Sequence, residues 1–173
     1  MKARLKILAL LCPLVVLFDQ LTKFLIVLGL EIGGKISIIP GLFDIVHVRN
    51  PGAAFGSFSG LSDSVRLPFF FLTSAIALIV LLIYFFRTQE DQKSMFVCLS
   101  LILGGAIGNI TDRIFRGEVV DFVSFHWYDQ WLNLHLGSWQ RRILLEWPAF
   151  NIADMAISVA AIWMMILMFK KKA

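Results

Sequence analysis

The hydrophobic and polar residues of this chain follow one another in long blocks rather than alternating. Several apolar runs approach the roughly 20 residues that a helix needs to cross a bilayer. We predict membrane-spanning helices at about residues 7–28, 67–86, 94–115 and 151–169. This pattern is typical of an all-α polytopic membrane protein.

The segments between the predicted spans have a different pattern. Segment 31–66 is rich in β-branched residues and has Pro-Gly pairs at 40–41 and 51–52, which predicts short strands joined by turns. Segment 116–150 is expected to lie at the membrane surface, where indole rings favour the headgroup region. Its tryptophans are Trp127, Trp131, Trp139 and Trp147.

Composition agrees with a membrane location, since 58% of the 173 residues are hydrophobic and only 16% are charged. Basic residues gather in the short flanks of the predicted spans: Lys2, Arg4, Lys6, Arg87, Lys93, Lys170, Lys171 and Lys172. The positive-inside rule then places both termini in the cytoplasm and segments 31–66 and 116–150 outside. Because these cations form no single patch, the net charge of +4 indicates no nucleic-acid partner.

Ionisable side chains within the spans are the first candidates for chemistry. At about 1.5 Å per residue, Asp19 lies roughly 18 Å and Lys23 roughly 24 Å into a core about 30 Å thick. Charges at such depth are costly and usually functional. The other polar residues expected at this outer level are Asn50, Asn109, Asp112, Arg113, Asp121, Asn151 and Asp154.

Structural roles are open for several of these residues. Asp19 and Lys23 stand at i and i+4 with the acid first, so an internal ion pair is as good a hypothesis as substrate contact. Asp112 and Arg113 could equally join neighbouring helices. Both cysteines, Cys12 and Cys98, fall within predicted spans, so we expect buried apolar roles rather than a disulfide.

Asp121 and Asp154 are the best candidates for a reactive pair. Neither has an obvious basic partner nearby in the sequence, and both are expected at the same depth. Asp154 alone could be a helix-start residue with Asn151 as N-cap. Together, two adjacent carboxylates share a proton, so that one can activate water while the other polarises a carbonyl, as in aspartic proteases.

Three other functions use similar residues. A small transporter or ion channel also places carboxylates within the membrane, but along its whole depth. A membrane assembly factor would need no aspartate pair. A serine–lysine peptidase would need a neutral Lys23, which Asp19 opposes. Its nucleophile would come from Ser57, Ser59 or Ser124.

A zinc protease is a weaker hypothesis. The three histidines lack the HExxH spacing that such enzymes use, and we expect them at the surface. They are His47, His126 and His135.

Five short motifs, read in order, resemble one family. They are DQLTK at 19–23, NPGAAFG at 50–56, GGAIGNITDR at 104–113, VVDF at 119–122 and FNIAD at 150–154. Each is weak alone, but the set resembles the bacterial lipoprotein signal peptidases, also called signal peptidase II, over nearly the whole chain.

The resemblance implies a single integral membrane peptidase domain over residues 1–173. Its architecture would be four transmembrane helices with a small periplasmic β-cradle and a periplasmic surface helix. The active site would lie near the periplasmic face of the bacterial inner membrane. The sequence gives no indication of the oligomeric state.

The resemblance also implies an activity. Such a peptidase is an intramembrane aspartic endopeptidase that cleaves diacylglyceryl prolipoproteins before the lipidated cysteine. Its partners would be these substrates and membrane lipids, and no metal or cofactor is expected. The implied catalytic residues are Asp121 and Asp154. The implied pocket residues are Asp19, Lys23, Asn50, Gly105, Asn109, Asp112, Arg113, Asn151 and Ala153.

The chain departs from the family pattern between the two aspartates. About ten additional residues are expected around 133–142. This segment could form a lid over the lipidated cysteine or a tolerated surface insertion, and both hypotheses stay open.

Overall fold

The computed structural model describes residues 3–52, 63–136 and 139–170. All four predicted spans are confirmed, each within a few residues of the observed ends, and all are long and apolar enough to cross a membrane. The helices are α1 (Ala3–Gly29), α2 (Asp63–Arg87), α3 (Lys93–Arg116) and α4 (Ile152–Lys170).

A small antiparallel sheet accompanies the helices. Its strands follow the order β1-β2-β3-β4. They are β1 (Lys35–Ile39), β2 (Phe43–Asn50), β3 (Val119–Leu136) and β4 (Trp139–Phe150). The strands predicted in segment 31–66 are confirmed, and segment 116–150 adds a long hairpin that the sequence did not predict as strands.

The expected periplasmic surface helix is not found among the described residues, where every helix is one of the four spans. Residues 53–62, between β2 and α2, lie outside the described residues.

Helix α3 is the centre of the bundle and packs against the other three helices. More than half of its membrane-spanning window is buried, whereas only 6% of the window of α2 is buried. In the half nearer the α2–α3 connection, the core is apolar and contains Phe85, Phe96 and Leu99. Both cysteines are free, and Cys98 is buried in this part of the bundle.

Glycines on α3 allow close approach of the neighbouring helices. A Cβ atom on Gly105 would lie 2.5 Å from the carbonyl oxygen of Ala153, at the start of α4. A Cβ atom on Gly108 would lie 2.6 Å from Oδ2 of Asp19 on α1. The missing side chains therefore let α1 and α4 bring their polar residues against α3.

The sheet grows directly out of the helix ends. Helix α3 ends at Gly117, whose φ of 79° is the left-handed conformation that glycine adopts readily. Strand β3 begins two residues later, with Asp121 opposite Val48 of β2. At the other end of the hairpin, β4 ends at Phe150, and α4 begins at Ile152. The hairpin thus holds the end of α3 and the start of α4 together.

We expect Gly105→Ala to separate α3 from α4, because the added methyl group would overlap the Ala153 carbonyl and the Ile157 side chain. The free energy of unfolding should fall by about 1–3 kcal/mol, as for other overpacked sites. Thermal unfolding in detergent measures this change. Gly29→Ala is the matched control, since a Cβ atom at that position would have no neighbour within 4 Å. Equal stability of the two variants would contradict this account of the interface.

Candidate active site

Asp121 and Asp154 are brought together at the junction of the sheet and α4. Asp121 lies on β3 with 2% of its surface exposed, and Asp154 is half-buried in the first turn of α4. Between them lies Asn151, whose Nδ2 donates a 2.7 Å hydrogen bond to Oδ1 of Asp121. Asn151 also caps α4: its Oδ1 accepts from the Asp154 amide at 3.0 Å, and its own amide donates to Oδ2 of Asp154 at 3.3 Å.

Two further asparagines complete the polar shell of the pair. Nδ2 of Asn50, the last residue of β2, donates to Oδ2 of Asp121 at 3.0 Å. Nδ2 of Asn109 on α3 donates to Oδ1 of Asp154 at 2.8 Å. Each of the four carboxylate oxygens thus accepts a hydrogen bond from an amide. Side chains from β2, β3, α3 and α4 meet here, as the sequence predicted from matching depth.

The pKa of Asp121 is raised to about 6. Burial of the carboxyl group is the largest cause, because the charged form loses its hydration. The hydrogen bond from Asn50 favours the charged form and opposes the shift, while the nearby charge of Asp154 adds to it. Asp121 therefore keeps its proton at pH values where an ordinary aspartate has lost it.

Lys23 is the centre of a second polar group, which lies beneath the pair. The lysine is fully buried, and its Nζ lies 2.8 Å from Oδ2 of Asp19 and 2.9 Å from Oδ2 of Asp112. A third hydrogen bond, of 2.9 Å, goes to Oδ1 of Asn109. All three ammonium hydrogens thus have acceptors within the protein, so the internal ion pair predicted for Asp19 and Lys23 is present.

Asp112 joins three elements. Besides Lys23, its Oδ2 accepts the backbone amide of Val120 on β3 at 3.1 Å. Its Oδ1 accepts from Gln20 on α1 at 3.1 Å and pairs with Arg116 one turn along α3. Arg116 also donates to Oε1 of Gln20 at 2.9 Å. The hypothesis that Asp112 joins neighbouring elements is therefore supported by its contacts.

The two polar groups are connected through Asn109. Because Oδ1 of Asn109 accepts from Lys23, its Nδ2 must face Asp154. A second connection runs through Asp19, whose Oδ1 accepts the backbone amide of Ala153 at 2.9 Å. Lys23 thus orients the side-chain amide of Asn109, which contacts Asp154. Through Asp19 it also positions the first turn of α4, which carries Asp154.

Arg113 is the remaining cation near the pair. Its guanidinium lies over the ring of Phe70 on α2, 5.4 Å from the ring centroid, and donates to the Asn109 carbonyl at 3.4 Å. It interacts electrostatically with Asp121 and Asp154. Arg113 therefore balances the negative charge of the pair from the side of α2.

The structure brings every implied pocket residue to this region, together with two residues that were not predicted. Gln20 and Arg116 complete the hydrogen bonds of Asp112. The spacing of Arg116, four residues after Asp112 on one helix face, was a usable signal. The sequence signal for Gln20 was weaker: the residue lies next to Asp19 in the DQLTK motif.

The expected surface position of the histidines is wrong for His47. This residue is 2% exposed, because its Nδ1 bonds to the Leu30 carbonyl at 2.7 Å beside the end of α1. His126 lies 3.1 Å from Asp44 within the sheet, and the side chain of His135 lies outside the described part. Among the described residues, no group of three or more His, Cys, Asp or Glu could hold a metal ion.

Comparisons with known proteins agree with this geometry. A family model described as Signal peptidase (SPase) II matches residues 11–170. A lipoprotein signal peptidase of Syntrophotalea carbinolica is 43% identical over 157 residues, covering 91% of this chain and 87% of the relative. One from Staphylococcus aureus is 35% identical over 156 residues, covering 90% and 83%.

Solved structures show the same fold. A bacterial membrane enzyme determined by the in meso method superposes with a TM-score of 0.77 and 34% identity. The match covers 96% of this chain and 89% of that one. A second structure with the same description gives a TM-score of 0.75.

Four membrane-length helices with paired aspartates at one end of the bundle define a multi-pass membrane peptidase of the aspartic class. Because the family match covers nearly the whole chain, the protein belongs to the signal peptidase II family. It is therefore a hydrolase of bacterial membranes.

We expect Lys23→Met to destabilise the protein by about 3–5 kcal/mol, because it leaves Asp19 and Asp112 buried without their shared cation. Chemical or thermal unfolding in detergent measures the loss. Lys35→Met is the matched control: Lys35 pairs with Asp44 but its side chain is 61% exposed, so at most about 1 kcal/mol should be lost. A Lys23 variant no less stable than the control would contradict the central role of this cation.

Proposed function

We propose that this protein removes the signal peptide from diacylglyceryl prolipoproteins, cleaving before the lipidated cysteine, with Asp121 and Asp154 as catalytic residues. The observation that carries the proposal is the pair itself. Two aspartates lie at the sheet–helix junction, each oxygen bonded to an amide, and one has its pKa raised to about 6. The name of the relatives, lipoprotein signal peptidase, agrees with this substrate.

In the proposed reaction the pair holds one proton, mainly on Asp121. Asp154 takes the role of the base, because it lies in the first turn of α4, where the helix dipole favours an anion. It removes a proton from water as the oxygen attacks the scissile carbonyl, and Asp121 protonates the carbonyl oxygen. When the tetrahedral intermediate collapses, the proton on Asp154 moves to the departing amine, which becomes the new N-terminus of the lipidated cysteine. As the intermediate becomes the new C-terminal carboxyl group, one of its hydroxyl protons returns to Asp121, so that the pair again holds one proton.

The depth of the pair would select the bond that is cut. The basic flanks of the helices favour an orientation with both termini in the cytoplasm. In that orientation the pair would lie at the periplasmic boundary of the bilayer. The diacylglyceryl chains of the substrate would stay among the lipids while the scissile bond reaches this level. Arg113, which lies over Phe70 and interacts electrostatically with both aspartates, would balance the single negative charge of the pair throughout the reaction. We propose that residues 1–173 act as one domain.

The other functions fit the contacts less well. A transporter needs polar groups along the membrane depth, but the half of the bundle around Phe85, Phe96 and Leu99 is apolar. A serine–lysine peptidase needs a neutral lysine, but Lys23 is bonded to two carboxylates. Two of its candidate nucleophiles, Ser57 and Ser59, lie outside the described residues.

We expect Asp121→Asn and Asp154→Asn each to reduce cleavage of lipidated prolipoprotein by at least about a thousandfold, because an amide cannot share or transfer the proton. Single-turnover assays with purified protein in detergent measure this loss. Asp44→Asn is the matched control: Asp44 is a buried carboxylate of the same sheet, but it pairs with Lys35 and His126. Substantial turnover by either dyad variant, with folding equal to the control, would refute the assignment.

We expect kcat/KM to decline as pH rises through about 6, the raised pKa of Asp121. The protonated form is needed as acid, and it is depleted above this pKa. Asn50→Ala removes a hydrogen bond that favours the charged form, so the midpoint should move to higher pH. The midpoint is read from the pH profile independently of any loss in maximal rate. A midpoint moved to lower pH in the Asn50 variant would contradict this role.

A further inference from the structure

Arg116, the last residue of α3, contacts the polar group around Lys23 from its rim. The side chain of Arg116 is 22% exposed, whereas those of Lys23, Asp19 and Asp112 are fully buried. Its guanidinium pairs with Oδ1 of Asp112 and donates to Oε1 of Gln20 at 2.9 Å. It thus joins α3 to α1 at the end of α3 from which the chain continues into β3.

The charge of Arg116 completes the balance of this polar group. Asp19 and Asp112 carry two negative charges, and Lys23 between them supplies one positive charge. With Lys23 alone, the group would keep one uncompensated negative charge in a region of low dielectric constant. Arg116 supplies the second cation through its direct contact with Asp112.

The same balance extends to the aspartate pair. With one shared proton, as in the proposed reaction, Asp121 and Asp154 carry one negative charge, which Arg113 offsets. The cations Lys23, Arg113 and Arg116 then balance the three negative charges of the two polar groups. Loss of Arg116 would therefore leave one negative charge in excess when the pair holds a single proton.

Asp112 connects Arg116 to the backbone next to Asp121. While Oδ1 of Asp112 pairs with Arg116, its Oδ2 accepts the backbone amide of Val120 at 3.1 Å. The Val120 carbonyl accepts a 3.3 Å hydrogen bond from Nδ2 of Asn151, which also donates to Oδ1 of Asp121. A shift of the Asp112 carboxylate would therefore move the backbone that carries Asp121.

The charged groups around Asp121 come from three helices. They are Lys23 on α1, Asp112 and Arg113 on α3, and Asp154 on α4. On β2, the residue opposite Asp121 is Val48, and Asn50 contributes an uncharged amide. The ladder between β3 and β4 ends at Phe150, which is also uncharged. Because a nearby cation favours the charged form of a carboxyl group, loss of Arg116 should make Asp121 hold its proton more tightly.

We propose that Arg116 is a positioning residue for the reaction at the Asp121–Asp154 pair: it balances the second buried carboxylate and holds the α3–β3 junction that places Asp121. This role rests on the proposed function and adds to it a residue that acts through Asp112 rather than on the substrate.

The first measurement is the titration of Asp121 itself, which does not depend on activity. Carbon-13 NMR of aspartate-labelled full-length protein in detergent follows this carboxyl group, and its resonance is assigned with Asp121→Asn. In Arg116→Gln the midpoint should lie at least about 0.5 pH unit above that of the wild type, and in Arg116→Lys, which keeps the charge, within about 0.2 unit of it. Arg4→Gln is the matched control, since Arg4 is 17% exposed and pairs with Glu90 at the other end of the bundle, so its midpoint should not move.

The second measurement separates kcat from KM for lipidated prolipoprotein. Arg116→Gln should lower kcat at least about fivefold and leave KM within about twofold, because the aspartate pair is disturbed while substrate contacts are kept. The control should change neither constant, and Arg116→Lys should keep kcat within about threefold of the wild type. If the wild type itself showed no aspartate-dependent cleavage, the proposed function would fail, and the titration would still decide whether Arg116 balances the site.

A double variant distinguishes charge balance from a purely structural contact. Combining Arg116→Gln with Asp112→Asn removes one charge of each sign, so the Asp121 midpoint should return to within about 0.2 pH unit of the wild type. This variant, together with Arg116→Lys, also decides the case in which Arg116→Gln alone does not fold. The proposal is overturned by an unmoved midpoint in folded Arg116→Gln, by a midpoint raised equally in Arg116→Lys, or by a midpoint that stays raised in the double variant.

Discussion

The arrangement of the candidate active site depends on one buried cation. Lys23 has no exposure to solvent, and its three hydrogen bonds go to Asp19, Asp112 and Asn109. Through these acceptors it joins α1 to α3, and through Asp19 it reaches the first turn of α4. Removing Lys23 or either of its two aspartates would leave charge uncompensated in a region of low dielectric constant. The aspartate pair is thus supported by a polar group that has no part in the proposed proton transfers.

This polar layer is possible because the bundle is divided along its length. One half is packed by apolar side chains such as Phe96 and Leu99, while the other half admits charged groups where α3 has glycines. At Gly108 there is room for the carboxylate of Asp19, and at Gly105 there is room for the backbone of α4. Burial of the charged groups therefore depends on close helix packing, since larger residues on α3 would separate the groups that neutralise each other.

Much of this organisation could be predicted from the sequence, because long apolar runs and i,i+4 pairs are local signals. The spans, the Asp19–Lys23 pair and the meeting of Asp121 with Asp154 were all accessible in this way. Contacts that depend on how the elements pack against one another could not be predicted from the sequence. Gln20 gains its role only when α1 meets α3, and the burial of His47 depends on its bond to Leu30. The hairpin was missed because its polar and aromatic residues also suit a surface segment.

The spacing of the buried charges has a consequence for biogenesis. Asp19 has Lys23 four residues later on α1, and Asp112 has Arg116 four residues later on α3. Each acid therefore carries its own counter-ion within its own helix, before that helix has packed against a partner. An isolated carboxylate would raise the cost of partitioning into lipid, and a neutral pair lowers it. Once both helices are inserted, Lys23 can pair with Asp112 as well. The same charged residues that lower the cost of inserting each helix then hold α1 and α3 together.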